Sequence, residues 1–288
     1  MRIVGFTFVK NGIKYDYPFR ESLLSLLPLC DEVIVAAGDS EDTTTEEIRN
    51  LHSPKINIIE TIWDPKLREG GKVLAQQTNI ALSKVKGDWA IYLQADEVFH
   101  EKDYNAILEA MERYQHDEMV EGLLFSYYHF YGSYNYVGTS RRWYRREIRA
   151  LKPKAGVTSW RDAQGFRIND RKLRVKSVDA YVYHYGWVKP PAIQQAKQRS
   201  FNLLWHPEEW IDKKIGSSKS YDYITHAGEL KPFEGTHPAV MKERIASQSW
   251  DFSYNENLSK ESMKESMLNW IEKRTGYRVG EYKNYIII

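Results

Sequence analysis

The chain has a single cysteine, Cys30, so it can form no intrachain disulfide and no thiolate cluster for zinc. That composition favours a reducing compartment. No apolar stretch approaches the ~20 residues that a membrane-spanning helix needs. The first twelve residues are apolar but lack a small-residue cleavage site and carry an early Lys10, so they read as a strand and not as a signal peptide. These absences give the expectation of a cytoplasmic protein, with peripheral contact at the inner face of a membrane left open. A surplus of one charge is also missing. The net charge of +2 is too close to neutral to argue for a nucleic-acid partner. Repeats and low-complexity segments are absent. What is present supports a buried core: apolar residues make up 42% of a chain of 288, enough for one large domain with or without an extension. Twenty Tyr and nine Trp would suit the apolar faces of sugars, although ordinary core packing accounts for most such rings.

The first hundred residues alternate strand and helix. Residues 2–9 are β-branched and aromatic, as in a buried strand. Residues 17–27 place Phe19, Leu23, Leu26 and Leu27 at helical spacing before Pro28 stops them. Strands follow at 32–37, 56–62 and 89–93, with helices at 45–51 and 73–85 between them. This order implies a mainly parallel sheet flanked by helices. Further strands are expected at 122–131, 141–151 and 173–185. After Pro190 and Pro191 the pattern turns helical, at 192–205, 208–214 and 259–274. The expected organisation is a domain over 1–205 and a mostly helical extension over 206–288. The apolar end, 285–288, needs a groove or a partner to cover it, which leaves a homodimer open.

Open parallel sheets bind ligands beyond the carboxyl ends of their strands. That rule selects residues 10–13, 38–44 and 94–97, and it predicts a nucleotide running along Phe8 to Asn11, Asp39, Asp42 and Asp96. Asp39 and Asp42 could accept hydrogen bonds from a base or ribose. The same residue types cap helices, and the sequence leaves both readings open. The strand at 89–93 delivers Gln94, Ala95, Asp96 and Glu97 together, a placement suited to a hard cation shared with phosphates. His184 ends a later strand before Gly186, where it could be a metal ligand or a packed histidine.

Three segments, in order, resemble glycosyltransferase family 2. Ser40-Glu41-Asp42-Thr43-Thr44 resembles the family's Ser-Thr-Asp-Gly-Thr turn, with Thr43 in place of Gly. Gly70-Gly71-Lys72, Asn79-Ile80-Ala81 and Gly87-Asp88-Trp89 resemble the helix and lead-in before the metal motif. Leu93-Gln94-Ala95-Asp96-Glu97 resembles Leu-Asp-Ala-Asp-Asp, with Gln94 in place of the first Asp. The resemblance covers roughly residues 1–100.

It implies a GT-A-like α/β fold and inverting transfer from a UDP- or GDP-linked sugar to a glycan or lipid-linked acceptor. It also implies nucleoside contacts from Asp42 and Asp39, and Mn²⁺ or Mg²⁺ held by Asp96 with help from His184. Gln94 would weaken the metal or touch the ribose. A leaving diphosphate needs cations. The candidates are Arg68, Lys72 and the cluster Arg141, Arg142, Arg145 and Arg146, which a strand would split between two faces. Asp162 is the candidate base, beside Trp160 in a polar loop, and Glu147 is its rival. A nucleotidyltransferase would want a Gly-rich basic loop after the first strand, and Lys10-Asn11-Gly12 is too sparse. A catalytically silent nucleotide- or glycan-binding protein is the remaining alternative, favoured by Gln94.

Overall fold

Alternate residues of β1 (Ile3–Val9) face two different cores, as the two-residue period of a strand requires. Ile3 and Val9 join one buried cluster with Leu23, Leu26, Ile107 and Met111. Val4 and Phe6 join another with Val73, Leu74, Ala81 and Leu82. The first face is covered by α1 (Phe19–Leu26) and, further along the chain, by a helix over Tyr104–Tyr114. A computed structural model of the chain describes every residue except Arg68, Ser217 and 255–262. The expectations for Arg68 and for the helix start at Ser259 therefore lie outside the described residues.

Next come β2 (Glu32–Gly38), α2 (Thr44–Arg49), β3 (Ile56–Thr61), α3 (Lys72–Leu82), β4 (Trp89–Tyr92), β5 (Glu97–Phe99) and α4 (Tyr104–Tyr114). Strand β1 lies between β2 and β4, all parallel, with β3 outside β2. Then follow β6 (Gly122–Tyr131), β7 (Ser133–Gly138), β8 (Arg146–Leu151), β9 (Val157–Trp160), β10 (Gly165–Ile168), β11 (Arg171–Lys172) and β12 (Arg174–Trp187). Strand β8 pairs antiparallel with β4 and β6, which turns the parallel half into a mixed sheet. Strands β9 to β11 form a small separate sheet whose Phe166 and Ile168 pack on the face that carries α3.

The last elements are α5 (Pro191–Asn202), α6 (Glu208–Lys214), β13 (Leu230–Pro232), α7 (Lys242–Ala246), α8 (Met263–Thr275) and β14 (Ile286–Ile287). Among the described residues after 205 the α-helices are α6, α7 and α8, and the strands of this segment join the central sheet, β13 on β7 and β14 on β12. One expectation fails. The strand foreseen over 141–151 begins only at Arg146, and residues 140–145 form a turn-rich loop. The arginines before 146 are thus not sorted between two sheet faces.

Candidate active site

Two strand ends and one long crossing strand build the site. Strand β4 ends at Tyr92, and the chain turns through Gln94 to Asp96 before entering β5. β5 pairs antiparallel with β12, with His184 opposite Glu97. The backbone N–H of Tyr185 then donates to the Asp96 carbonyl at 2.8 Å. This pairing brings together Asp96 and His184, which are far apart in sequence. Asp96 Oδ2 lies 3.7 Å from His184 Nε2 and 3.3 Å from the Lys197 ammonium of α5. All three line a cavity of about 720 Å³, with Phe8 and Asn11 from the end of β1 on its wall.

Hydrogen bonds determine which face of His184 is presented. His129 Nε2 lies 2.7 Å from the Tyr144 carbonyl, which can only accept, so that nitrogen carries the proton. Burial, and next the neighbouring His184, hold the His129 pKa well below the ordinary histidine value. Neutral His129 therefore accepts at Nδ1 from the Nδ1–H of His184, 3.0 Å away. The Nε2 of His184 is thereby the ring nitrogen left facing Asp96. Locking a ring tautomer through its far nitrogen is how metal-binding histidines are oriented.

Burial opposes the charge on Asp96, but Lys197, His184 and Lys189 outweigh it and hold its carboxyl well below the usual range. Lys197 is pulled down by burial and back up by Asp96. Its ammonium also donates to the Gly186 carbonyl at 2.9 Å and sits 4.7 Å from the centre of the Tyr17 ring. Lys189, fully buried, donates to the Tyr15 and Asp16 carbonyls and caps the same ring. Gly186 keeps the space between the donors open. A Cβ there would stand 2.5 Å from Asp96 Oδ2 and 2.7 Å from His184 Nε2. One carboxylate and one imidazole around such a gap fit Mn²⁺ or Mg²⁺ that takes its other ligands from phosphate oxygens. No group of three or more metal-ligating side chains occurs among the described residues.

The family profile of glycosyl transferase family 2 matches residues 17–174, over half of the chain. The chain belongs to glycosyl transferase family 2. No curated protein sequence matches it. Among solved structures it is similar to S. aureus TarS, at 16% identity and TM-score 0.39, over 75% of this chain and 42% of that one. The chain thus spans less than half the length of that relative. TarS 1–349 in complex with UDP-GlcNAc matches at 14% identity and TM-score 0.40, over 75% of this chain and 71% of that one. The mannosyltransferase PcManGT from Pyrobaculum calidifontis, in complex with GDP-Man and Mn²⁺, matches at 20% identity and TM-score 0.31, over 42% and 34%.

In this family 2 chain the four residues Gln94 to Glu97 divide their tasks. Gln94 and Ala95 line the cavity with Asp96. Gln94 Nε2 donates across to the Ala163 carbonyl at 3.3 Å, in the turn that carries Asp162. Glu97 faces away from the cavity, fully buried, in a two-bond ion pair with Arg149 at 2.7 Å each. Arg149 in turn donates to the Gln164 carbonyl. Asp162 lines the cavity, half-buried, and burial raises its pKa. Its flanking residues Arg161 and Ala163 have φ of 55° and 63°, a conformation that L-residues adopt at a cost. Glu147, the rival, is not part of the lining. It is buried behind that turn with Oε2 unpartnered, and burial lifts its pKa to about 8.

Other expected residues stand elsewhere. Asp39 is exposed and outside the lining, accepting from Lys10 Nζ at 2.7 Å and from the Trp63 N–H at 3.0 Å, and both partners line the cavity. Asp42 is outside the lining and caps the start of α2, accepting from the Thr44 N–H and the Lys14 N–H. Lys72 borders a separate shallow groove with Arg161, because it lies on the outer side of α3. Arg141 and Arg145 bind Glu272 and Glu281 of the C-terminal segment, and only Arg142 of that loop's arginines reaches the cavity. Lys197, Lys189 and His129 went unforeseen. Lys197 lies on a helix with little apolar periodicity. The one available signal was Pro191 at its start, which marks α5 but not which face turns inward.

Proposed function

We propose that this chain transfers a sugar, with inversion, from a UDP- or GDP-linked donor to a hydroxyl of a glycan or lipid-linked acceptor, using Mn²⁺ or Mg²⁺. The observation that carries the reading is the ionised Asp96 set between His184 Nε2 and the Lys197 ammonium on the wall of a cavity that also holds Asp162.

The chemistry follows from charge. Breaking the bond between the anomeric carbon and the diphosphate leaves its electron pair on the departing phosphate. Fixed cations at that position stabilise the transition state more than the ground state. Lys197 and Arg142 both line the cavity and would supply that charge. Asp96 and His184 would hold the divalent ion, which supplies further charge neutralisation when bound. Asp162 takes the acceptor hydroxyl proton as that oxygen bonds to the anomeric carbon. Burial raises its pKa and so makes it a stronger base than a solvated aspartate. Phe8 and Trp63, 5.9 Å apart between ring centres, supply a wall against which a base can rest.

Calorimetric titration of UDP and GDP with and without Mn²⁺, on the parent chain, Asp96→Ala and His184→Ala, tests the binding half. Metal should tighten nucleotide binding in the parent, and nucleotide should tighten metal binding by the same factor. Metal-independent binding in the parent rejects the Asp96 role. Donor hydrolysis or transfer tests the catalytic half. A chain that binds donor with metal but turns none over is the silent binder that Gln94 favours.

A further inference from the structure

Exposed large apolar side chains are scattered over most of the molecule but gather in its last segment. Of the fifteen such residues among those described, eight fall between Met267 and Ile288. Trp270, Tyr277 and Tyr282 are 62%, 58% and 66% exposed. This segment is not a frayed end. Asn284 and Tyr285 are buried, and the N–H groups of Ile286 and Ile288 donate to the Leu173 and Val175 carbonyls along β12. Its apolar side chains are held outward by anchored backbone.

The charges are sorted as well. The acids among its described side chains, Glu272 and Glu281, are consumed by ion pairs with Arg141, Arg145 and Arg278. The cations Lys264, Lys273, Arg274 and Lys283 remain exposed. Each exposed ring has a cation close by: Arg274 at 5.8 Å from Trp270, Lys283 at 5.9 Å from Tyr277 and Lys172 at 5.1 Å from Tyr282. Trp and Tyr rings with basic side chains around them suit the boundary between lipid headgroups and acyl chains. There the ring buries its apolar body and the cation meets phosphate.

We infer that the surface formed by α8 and the chain end docks on an anionic lipid surface. A loop links this surface to the chemistry. Arg141 and Arg145 tie residues 140–145 to Glu272 and Glu281, while Arg142 and Tyr144 of the same loop line the cavity. Docking therefore fixes the cavity's position relative to the membrane, which suits an acceptor carried on a lipid. That last step rests on the proposed transfer reaction, whereas the docking itself does not.

The test is cosedimentation of the full chain with phosphatidylcholine vesicles, with and without phosphatidylglycerol, at low and high salt. Partition should require the anionic lipid and fall with salt. Replacing Lys273, Arg274 and Lys283 together by Gln should weaken it on the order of 100-fold, from the usual contribution of a basic residue near such a surface. Trp270→Ser should weaken it without changing its salt dependence. All these positions are exposed, and an unchanged melting temperature and donor turnover in each variant would separate this result from any failure of the transferase reading. Equal partition onto neutral and anionic vesicles, unchanged partition of the triple variant, or no partition at all overturns the inference. If light scattering instead shows a dimer that Trp270→Asp splits, the surface belongs to a second copy of the chain.

Discussion

Replacing Gln94 separates two roles for the position that family 2 gives to an acid. The first role is ligation of the metal. The second is the one the structure shows, in which the amide N–H of Gln94 holds the Ala163 carbonyl and with it the Asp162 turn. That turn does not hold itself, because Arg161 and Ala163 both sit at positive φ, at a cost of about 1 kcal/mol or more each. Gln94→Met removes the hydrogen bond and adds no charge, a loss of about 1 kcal/mol. If the turn pays for this in misplacement of Asp162, kcat falls about 5-fold. Gln94→Glu is nearly isosteric but sets a carboxylate oxygen against a carbonyl oxygen. That adds about 1–2 kcal/mol, so that the whole loss is about 30- to 150-fold in kcat. UDP affinity should stay near that of the parent in Gln94→Met, since Asp96, His184 and Lys197 are untouched. The assays are steady-state donor turnover and calorimetric titration of UDP with Mn²⁺. If Gln94→Glu binds Mn²⁺ more tightly and turns over as fast as the parent or faster, position 94 is a ligand position and the reasoning from the turn is wrong.

Gly186→Ala should leave the melting temperature within a few degrees but weaken Mn²⁺-dependent UDP binding at least about 10-fold, because the new Cβ fills the gap between Asp96 and His184. Nucleotide affinity unchanged by this variant would place the diphosphate elsewhere. His129→Leu removes the partner that orients His184 and should lower Mn²⁺ affinity about 10- to 100-fold, read by titration of the UDP-saturated chain. Glu147→Gln should stabilise the fold in a pH-dependent way. Its folded pKa of about 8 lies above the unfolded value, so the native state holds a proton that the unfolded chain releases between about pH 4.5 and 8. Stability of the parent falls as pH rises through that window. The variant's advantage in urea unfolding should be near zero at the bottom of the window and reach roughly 2–4 kcal/mol at its top; a pH-independent difference would mean that Glu147 does not carry its proton in the fold.

The sequence made the strand end legible because a fully apolar run, Trp89 to Leu93, stops abruptly at polar residues, and no tertiary information is needed to see that. It offered His184 near the end of an aromatic strand as either a metal ligand or a packed histidine, and left the two readings open. It could not show that β5 reverses direction and pairs with β12, yet that pairing is what sets His184 beside Asp96. At Asp42 the surroundings of Ser and Thr fitted both a nucleotide contact and a helix cap, and in the structure its bonds go to the backbone N–H groups of Thr44 and Lys14. The arginines at 141, 142 and 145 looked like one cluster because they are neighbours in sequence. The acids that pair with Arg141 and Arg145 lie more than a hundred residues on, in the C-terminal segment, and no local pattern points to that.

Lys197 marks the limit most clearly, and the reason is electrostatic. A lysine on a helix with polar neighbours is ordinarily solvated, and nothing at positions 191–202 says otherwise. Its burial follows from the Asp96 carboxylate and the Gly186 carbonyl, which offset the cost of taking an ammonium out of water. The same carboxylate faces His184 Nε2 across the gap at Gly186. A divalent ion bound there would share one negative charge with Lys197, and the ammonium would have to give up part of its hold on Asp96. A donor diphosphate would resolve that conflict, because its oxygens could receive both cations at once. Metal alone should bind poorly, nucleotide alone should lean on Lys197, and the two together should bind far better than either, which ties the coupling between them to the side chain that the sequence concealed.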